Sequence, residues 1–338
     1  MCRWTASMTT FAILALASVP RGARAEASEV RLSRGHGILF LPLFVMEQRG
    51  LLEKHAKAAG LGEIKVTWRT VDGGNVINDA MLSGALDIAA IGVPGFLTLW
   101  AKAKGNPRLE IAALSGLSAT SLYLNTTNPA IKTLRDFTPK DKIAVPGIKT
   151  SLSAVVLQML VAREFGDENY AKLDPLTVGL SHPDAYAALA SGGKGGVNTH
   201  FGSPPFSILE LDKPGVHRVV NSVEVLGPMT LDIVYALRRF HDANPKLCAA
   251  ILAALDEAND LIARDKRAAA QAYINASNVK VSEQEVLRML ADPHTRFSTT
   301  PDGVMKFAHF MRRVGTIAVV PHSWKDLFFP EVQGRPGS

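Results

Sequence analysis

Apolar and polar positions take turns between two periods along most of this chain. Val30 and Leu32 stand between polar residues, the spacing of a half-buried strand, which ends at Gly35-His36-Gly37 before a helical pattern over 38–52. Ile64, Val66 and Trp68 share one face of a strand over 63–70. A turn at Asp72-Gly73-Gly74-Asn75 follows, then a helix through Ile77, Met81 and Leu82. A short apolar strand over 87–91 closes at Gly92-Val93-Pro94-Gly95 and leads into a helix over 96–104. A further strand, 110–114, ends at Ser115-Gly116. Strand, glycine-containing turn and helix, three times over, predict an α/β sheet with parallel strands.

The pattern then restarts. Strands are expected over 121–124 and 142–145, and the second closes at Pro146-Gly147-Ile148-Lys149-Thr150-Ser151 before a strong helix over 152–165. Strands over 176–178, 196–200, 216–220 and 229–237 follow, with a helix over 184–190 opened by Pro183. Beyond Asn244 the chain reads as helices, with cap-plus-proline starts at Asn244-Pro245 and Thr300-Pro301 and a capping box from Ser282 to Glu285. The expected architecture is α/β in two lobes, one nested in the other: 26–125 with 230–338, and 126–229. Ligands of open parallel sheets bind beyond the carboxyl ends of the strands, where loops meet helix N-termini, so a cleft between the lobes is the place to look.

The first 25 residues break this pattern. Arg3 precedes the short apolar run 11–17, and Ala23-Arg24-Ala25 is a small-x-small site, the order of a secretory signal peptide cleaved before Glu26. An uncleaved anchor or a start at Met8 are the alternatives, but the run is well short of the roughly 20 residues a spanning helix needs. The expected location is the periplasm. The formal charge of +6 falls to +3 without the three arginines of this segment. The other basic residues are scattered, which argues against a nucleic-acid partner. With Cys2 in the signal segment, Cys248 stands alone in an apolar helical stretch, so no intrachain disulfide can form and it reads as a small buried hydrophobe.

Several segments then occur in a familiar order. Gly35-His36-Gly37 precedes Leu41-Pro42 and Glu47-Gln48-Arg49-Gly50-Leu51, followed by Leu82-Ser83-Gly84-Ala85-Leu86-Asp87-Ile88-Ala89. His182-Pro183-Asp184, His200-Phe201-Gly202-Ser203-Pro204-Pro205-Phe206 and Ser323-Trp324-Lys325-Asp326-Leu327-Phe328-Phe329 come later. In order and spacing the mature region resembles the periplasmic substrate-binding proteins of the nitrate/sulfonate/taurine (NitT/TauT) class of ABC importers. The resemblance implies a two-lobed, type II periplasmic-binding-protein fold with two crossing segments. It implies closure on a small, usually anionic ligand and delivery to the transmembrane subunits of an ABC permease; a monomer without a cofactor is expected. One departure is Gly192-Gly193-Lys194-Gly195-Gly196, where that class often carries an acid or amide. The segment lacks the spacing of a Walker loop.

Lys149, Thr150 and Ser151 are the first candidates for the anion, because a helix starting straight after a strand offers free N–H groups and its dipole, and these side chains add hydroxyls and an ammonium. Ordinary capping by Thr150 or Ser151 is the competing reading. His36 and Gly37 follow the first strand, Gly92, Pro94 and Ser115 are expected on the opposite wall, and His200 and Ser203 end a strand of the second unit. His182 reads as a helix cap. His217 and His241 read as exposed. The sequence carries no G-x-S-x-G, H-E-x-x-H or paired Cys/His spacing, and Phe40 replaces the third glycine of a dinucleotide fingerprint, so no catalytic, metal or cofactor site is expected. A desulfinase-like enzyme on the same scaffold would need a cysteine after the first strand, where His36 stands. A sensor or adaptor module stays open, as does the choice among nitrate, taurine, longer sulfonates and small carboxylates.

Overall fold

The structure is a computed structural model describing residue 1 and residues 25–71, 73–193 and 196–338. Residues 2–24 of the expected signal segment, Asp72 of the expected turn and Lys194-Gly195 lie outside the described residues. Lobe I begins with β1 (Glu29–Arg34), α1 (Leu41–Arg49), α2 (Leu51–Ala58), β2 (Lys65–Thr70), α3 (Gly74–Leu82), β3 (Ile88–Gly92), α4 (Val93–Ala103) and β4 (Ile111–Ala119). The helix expected over 38–52 is divided, because Gly50 adopts a left-handed φ of 57° that caps α1 and opens α2.

Lobe II holds β5 (Tyr123–Thr126), β6 (Ile143–Val145), α5 (Leu152–Phe165), β7 (Thr177–Gly179), α6 (His182–Ala190), β8 (Thr199–Gly202), α7 (Phe206–Leu211), β9 (His217–Asn221) and α8 (Ser222–Leu226). The chain then returns to lobe I with β10 (Asp232–Leu237), α9 (Arg238–Ala243), α10 (Pro245–Arg264), α11 (Lys266–Ala276), α12 (Glu283–Leu290), β11 (Arg296–Phe297), α13 (Val304–Arg313) and α14 (Pro330–Gln333).

Lobe I has one sheet, ordered β11-β4-β10-β3-β1-β2, and lobe II another, β7-β6-β8-β5-β9. β1 runs parallel to β2 and β3, as the sequence pattern predicts, but β10 is antiparallel to both β3 and β4. The reason is the route of the chain. β10 enters lobe I from the cleft side, so it must run against strands whose carboxyl ends point there, and its first residue, Asp232, pairs with Gly92 and Ser118. β5 opens the second sheet in the same way and pairs antiparallel with β8 and β9.

One face of the lobe I sheet packs on α1, α10 and α11 through Phe44, Met46, Ile251 and Tyr273, and Cys248 is buried in that layer. The other face meets α4 and α13 through Phe96, Trp100 and Phe307. That core continues through Leu122 into lobe II, to Ile143, Val145 and the buried face of α5. The lobes therefore share one apolar layer behind the cleft. Among the described residues no helix is long and apolar enough to cross a membrane. Two histidines expected on the surface are not free: His217 sits in β9 with Nε2 against the Ile131 carbonyl at 2.7 Å, and His241 stacks on Phe329 at 3.8 Å between ring centroids.

Candidate functional site

Between the lobes, the ends of three helices converge on one cavity. The N-terminal turns of α3, α4 and α5 all border it, through Gly73 and Gly74, through Gly92 and Gly95, and through Thr150, Ser151, Leu152 and Ser153. Helix starts carry unsatisfied N–H groups and the positive end of the dipole, so three of them around one space favour an acceptor-rich or anionic occupant. Some of these donors are already engaged: the Val93 N–H donates to the Leu231 carbonyl at 2.8 Å, and the Ala154 N–H to Ser151 Oγ at 3.2 Å. The α3 and α4 ends are held by Asn78, whose Nδ2 donates to the Gly95 carbonyl at 3.0 Å while its Oδ1 accepts from the Tyr235 hydroxyl at 2.8 Å.

Glycines bring the two lobes together here. A methyl on Gly92 would stand 2.7 Å from Leu152 Cβ, and one on Gly37 would stand 2.9 Å from the Pro204 carbonyl oxygen. The Ile38 N–H donates to that same Pro204 carbonyl at 3.1 Å, a backbone bond from lobe I to lobe II. The lobes are thus in contact here, and the cavity beside these contacts holds about 70 Å³. One water needs roughly 10–15 Å³ on this measure, so the space suits a solute of about five non-hydrogen atoms. A larger groove of about 490 Å³ lies on lobe I between β4, β11, α10 and the 295–302 segment. It is bordered by Lys266 at the start of α11, the one helix start among its described lining residues.

Of the expected residues, His36, Gly37, Gly92, Thr150, Ser151 and Ser203 line the cavity. Four others do not. Lys149 is exposed, with a left-handed φ of 64°, and its charge acts on Asp174 instead. Burial pushes the Asp174 carboxyl up, while Gln158 and Lys149 pull it back. Pro94 lies within the first turn of α4 and is buried, with Gly95 next to it facing the space. Ser115 is 0% exposed inside β4, which runs on to Ala119. Gly116 serves a close approach there, since its N–H donates to the Thr299 carbonyl and a methyl would meet the Ser298 carbonyl at 2.9 Å. His200 is fully buried behind the wall.

Sequence reading missed Asp232, Ser153 and His182, all of which line the cavity. Asp232 carries no such signal, because ligand contacts are expected beyond the carboxyl ends of strands and Asp232 stands at the amino end of β10. His182 is the first residue of α6, after the capping Ser181, and its Nδ1 lies 2.8 Å from His200 Nε2. Burial, then His200 and His36, hold the His182 imidazole well below its ordinary range, so it is neutral near pH 7. No Lys or Arg is among the described lining residues, and the buried carboxyl group of Asp232 is, so an anion here would depend on the helix starts and uncharged donors for its binding. Among the described residues no three His, Cys, Asp or Glu side chains converge as metal ligands.

No protein-family model and no curated protein matches the chain. Solved structures do. The alkanesulfonate-binding protein SsuA from Xanthomonas axonopodis pv. citri, bound to MOPS, superposes with a TM-score of 0.69 at 21% identity, over 88% of this chain and 96% of that one. A Candida albicans gene product that exhibits the generic periplasmic binding protein structural fold gives 0.64 at 16% identity, over 88% and 94%. The fold is that of the periplasmic binding proteins. The periplasmic nitrate-binding protein NrtA from Synechocystis PCC 6803 shares it, with a TM-score of 0.70 at 13% identity over 89% of this chain and 85% of that one. The two-lobed fold expected from the resemblance is therefore present, with the cavity at the junction of its lobes.

Proposed function

We propose that this chain is the extracytoplasmic solute-binding receptor of an ABC importer, capturing a small anion between its lobes and delivering it to the permease. The observation that carries the reading is the cavity of about 70 Å³ between the lobes, walled by three helix starts. Similar proteins of this fold are described as binding alkanesulfonate or nitrate. The size favours nitrate or a short sulfonate over a long or aromatic one. Binding rather than catalysis fits the lining: the one cysteine among the described residues, Cys248, is buried in lobe I, where its thiol is pushed far up by burial and nearby acids.

Export through a cleaved signal is part of this reading, and Glu26 supports it. Its carboxylate accepts from the Lys246 and Leu247 N–H groups at 3.0 and 2.8 Å, capping the start of α10. The residue just after the proposed cleavage site is thereby anchored to the folded body. We read the receptor as a monomer.

The test is a thermal-shift and native mass-spectrometric screen of residues 26–338 against nitrate, methanesulfonate, taurine and benzoate, in buffers that are not sulfonates. A ligand at about 100 times its Kd raises stability by roughly 2.7 kcal/mol, a clear rise in Tm. Retention of nitrate or methanesulfonate, unchanged in mass, supports the proposal. No shift with any of them, or recovery of an altered molecule, contradicts it.

A further inference from the structure

Behind the cavity wall, three titratable side chains form a line. His182 borders the cavity, its Nδ1 lies 2.8 Å from His200 Nε2, and His200 Nδ1 lies 2.5 Å from Glu210 Oε1. His200 and Glu210 are both 0% exposed. The other carboxyl oxygen of Glu210 accepts from Asn125 Nδ2 at 2.8 Å, and that same amide also donates to the Ser207 carbonyl. Among the described residues, His200 is the one ion-pair partner of Glu210. A lone buried carboxylate is costly, so one proton added to this line relieves an uncompensated charge.

The line has two hydrogen-bond directions, and they present opposite faces to the cavity. Without the extra proton, the Glu210 carboxylate accepts from His200 Nδ1–H and His200 Nε2 accepts from His182 Nδ1–H. His182 Nε2 is then left as a lone-pair acceptor. With one more proton shared by Glu210 and His200, His200 Nε2–H donates to His182 Nδ1, and His182 Nε2–H becomes a donor. An anion made only of acceptors needs the second state. Resting on the binding function proposed above, we infer that His182 is a specificity-determining residue and that the buried Glu210–His200 pair sets its polarity. In consequence an acceptor-only anion is captured together with one proton drawn from solvent.

Neighbouring elements bring few titratable groups to this line. His36, from the loop after β1, and Asp232, at the start of β10, share the cavity. β5 contributes Asn125 and, on the same face, Tyr123, which lies under the Arg218 guanidinium at 4.9 Å. β6 contributes only aliphatic side chains. On α6 itself, Asp184 is engaged by the Ser181 hydroxyl at 2.6 Å. The extra proton is placed between Glu210 Oε1 and His200 Nδ1, which lie 2.5 Å apart, and His182 passes on only the direction of the line.

The experiment is calorimetric titration of residues 26–338 with nitrate and methanesulfonate between pH 6 and 9, in bis-Tris, imidazole and Tris, whose ionisation heats differ. The expected result is uptake of about one proton per anion on the alkaline side, with affinity falling about tenfold per pH unit there. Glu210→Gln offers His200 an amide N–H in place of the carboxylate, so it should abolish both the uptake and the slope while keeping the affinity seen at low pH. His182→Ala should weaken binding about 10- to 150-fold at low pH, the loss of one hydrogen bond to a charged group. Wild-type binding with no proton uptake and no slope overturns this inference and leaves the receptor reading standing. Failure of the wild-type chain to bind either anion at any pH overturns that reading and this inference with it.

Discussion

Substituting Gly92 by alanine tests whether the closed lobes are the binding state. Gly92 caps α4 with φ −60° and ψ 139°, values that alanine adopts freely, so the backbone is unstrained by the change. The added methyl meets Leu152 Cβ at 2.7 Å and Leu152 Cα at 3.5 Å. These atoms sit at the start of α5 in the other lobe and cannot swing aside like the end of a long side chain. Overpacking of this kind costs about 1–3 kcal/mol. That cost falls on the closed form, since parting the lobes separates Gly92 from Leu152. If the ligand is held only by the closed form, affinity drops by the same amount, about 5- to 150-fold. The melting temperature of the unliganded chain should change little. Gly179→Ala is the matched control, because nothing lies within 4 Å of a methyl there. The assay is calorimetric titration with the anion identified by screening, beside scattering measurements of lobe closure. Affinity within twofold of wild type in the Gly92 variant would refute the reasoning.

Lys149→Ala should leave affinity within about twofold, since the side chain is exposed and does not line the cavity; titration checks it. Ser151→Ala removes the cap on the Ala154 N–H and should lower stability by about 0.5–2 kcal/mol in urea unfolding. Arg288 pairs across the lobes with Asp212 at 2.7 Å, exposed on both sides, so Arg288→Ala should weaken affinity by no more than a few fold, about 0.2–1 kcal/mol. The hydrogen bond from Arg288 holds the Asp212 carboxyl below its ordinary range. A depressed carboxyl contributes above its ordinary value and stops contributing as pH falls through the lowered one. This latch should therefore be intact at pH 6 and lost only below about pH 4, read as closure by scattering.

Reading periodicity placed most elements because apolar spacing at 2 or 3.6 residues records burial directly. The helix over 152–165 matches α5 residue for residue, and the strand over 63–70 contains β2. Direction was less legible. Nothing in the apolar run of β10 says that it enters its sheet from the cleft, and so Asp232 was hidden. Ser115-Gly116 looked like a turn because glycine marks both turns and close backbone approaches, and here the 298–301 segment supplies the approach. Lys149 was chosen for its charge beside a helix start, but one left-handed residue carries the side chain elsewhere, and a sequence does not announce that conformation for lysine. The His182–His200–Glu210 line joins residues 18 and 10 apart on three elements, which only the packing of α6 and α7 on β8 brings together.

The central claim, that a small anion is captured between the lobes, is tested most directly by a crystal structure of residues 26–338 grown with nitrate or methanesulfonate. Density for one intact anion is expected in the cavity bounded by the starts of α3, α4 and α5, with His182 Nε2 within hydrogen-bond distance and the Ile38–Pro204 bond across the lobes in place. An anion seated instead in the groove beside β11, or an empty cavity between parted lobes at saturating anion, would contradict it.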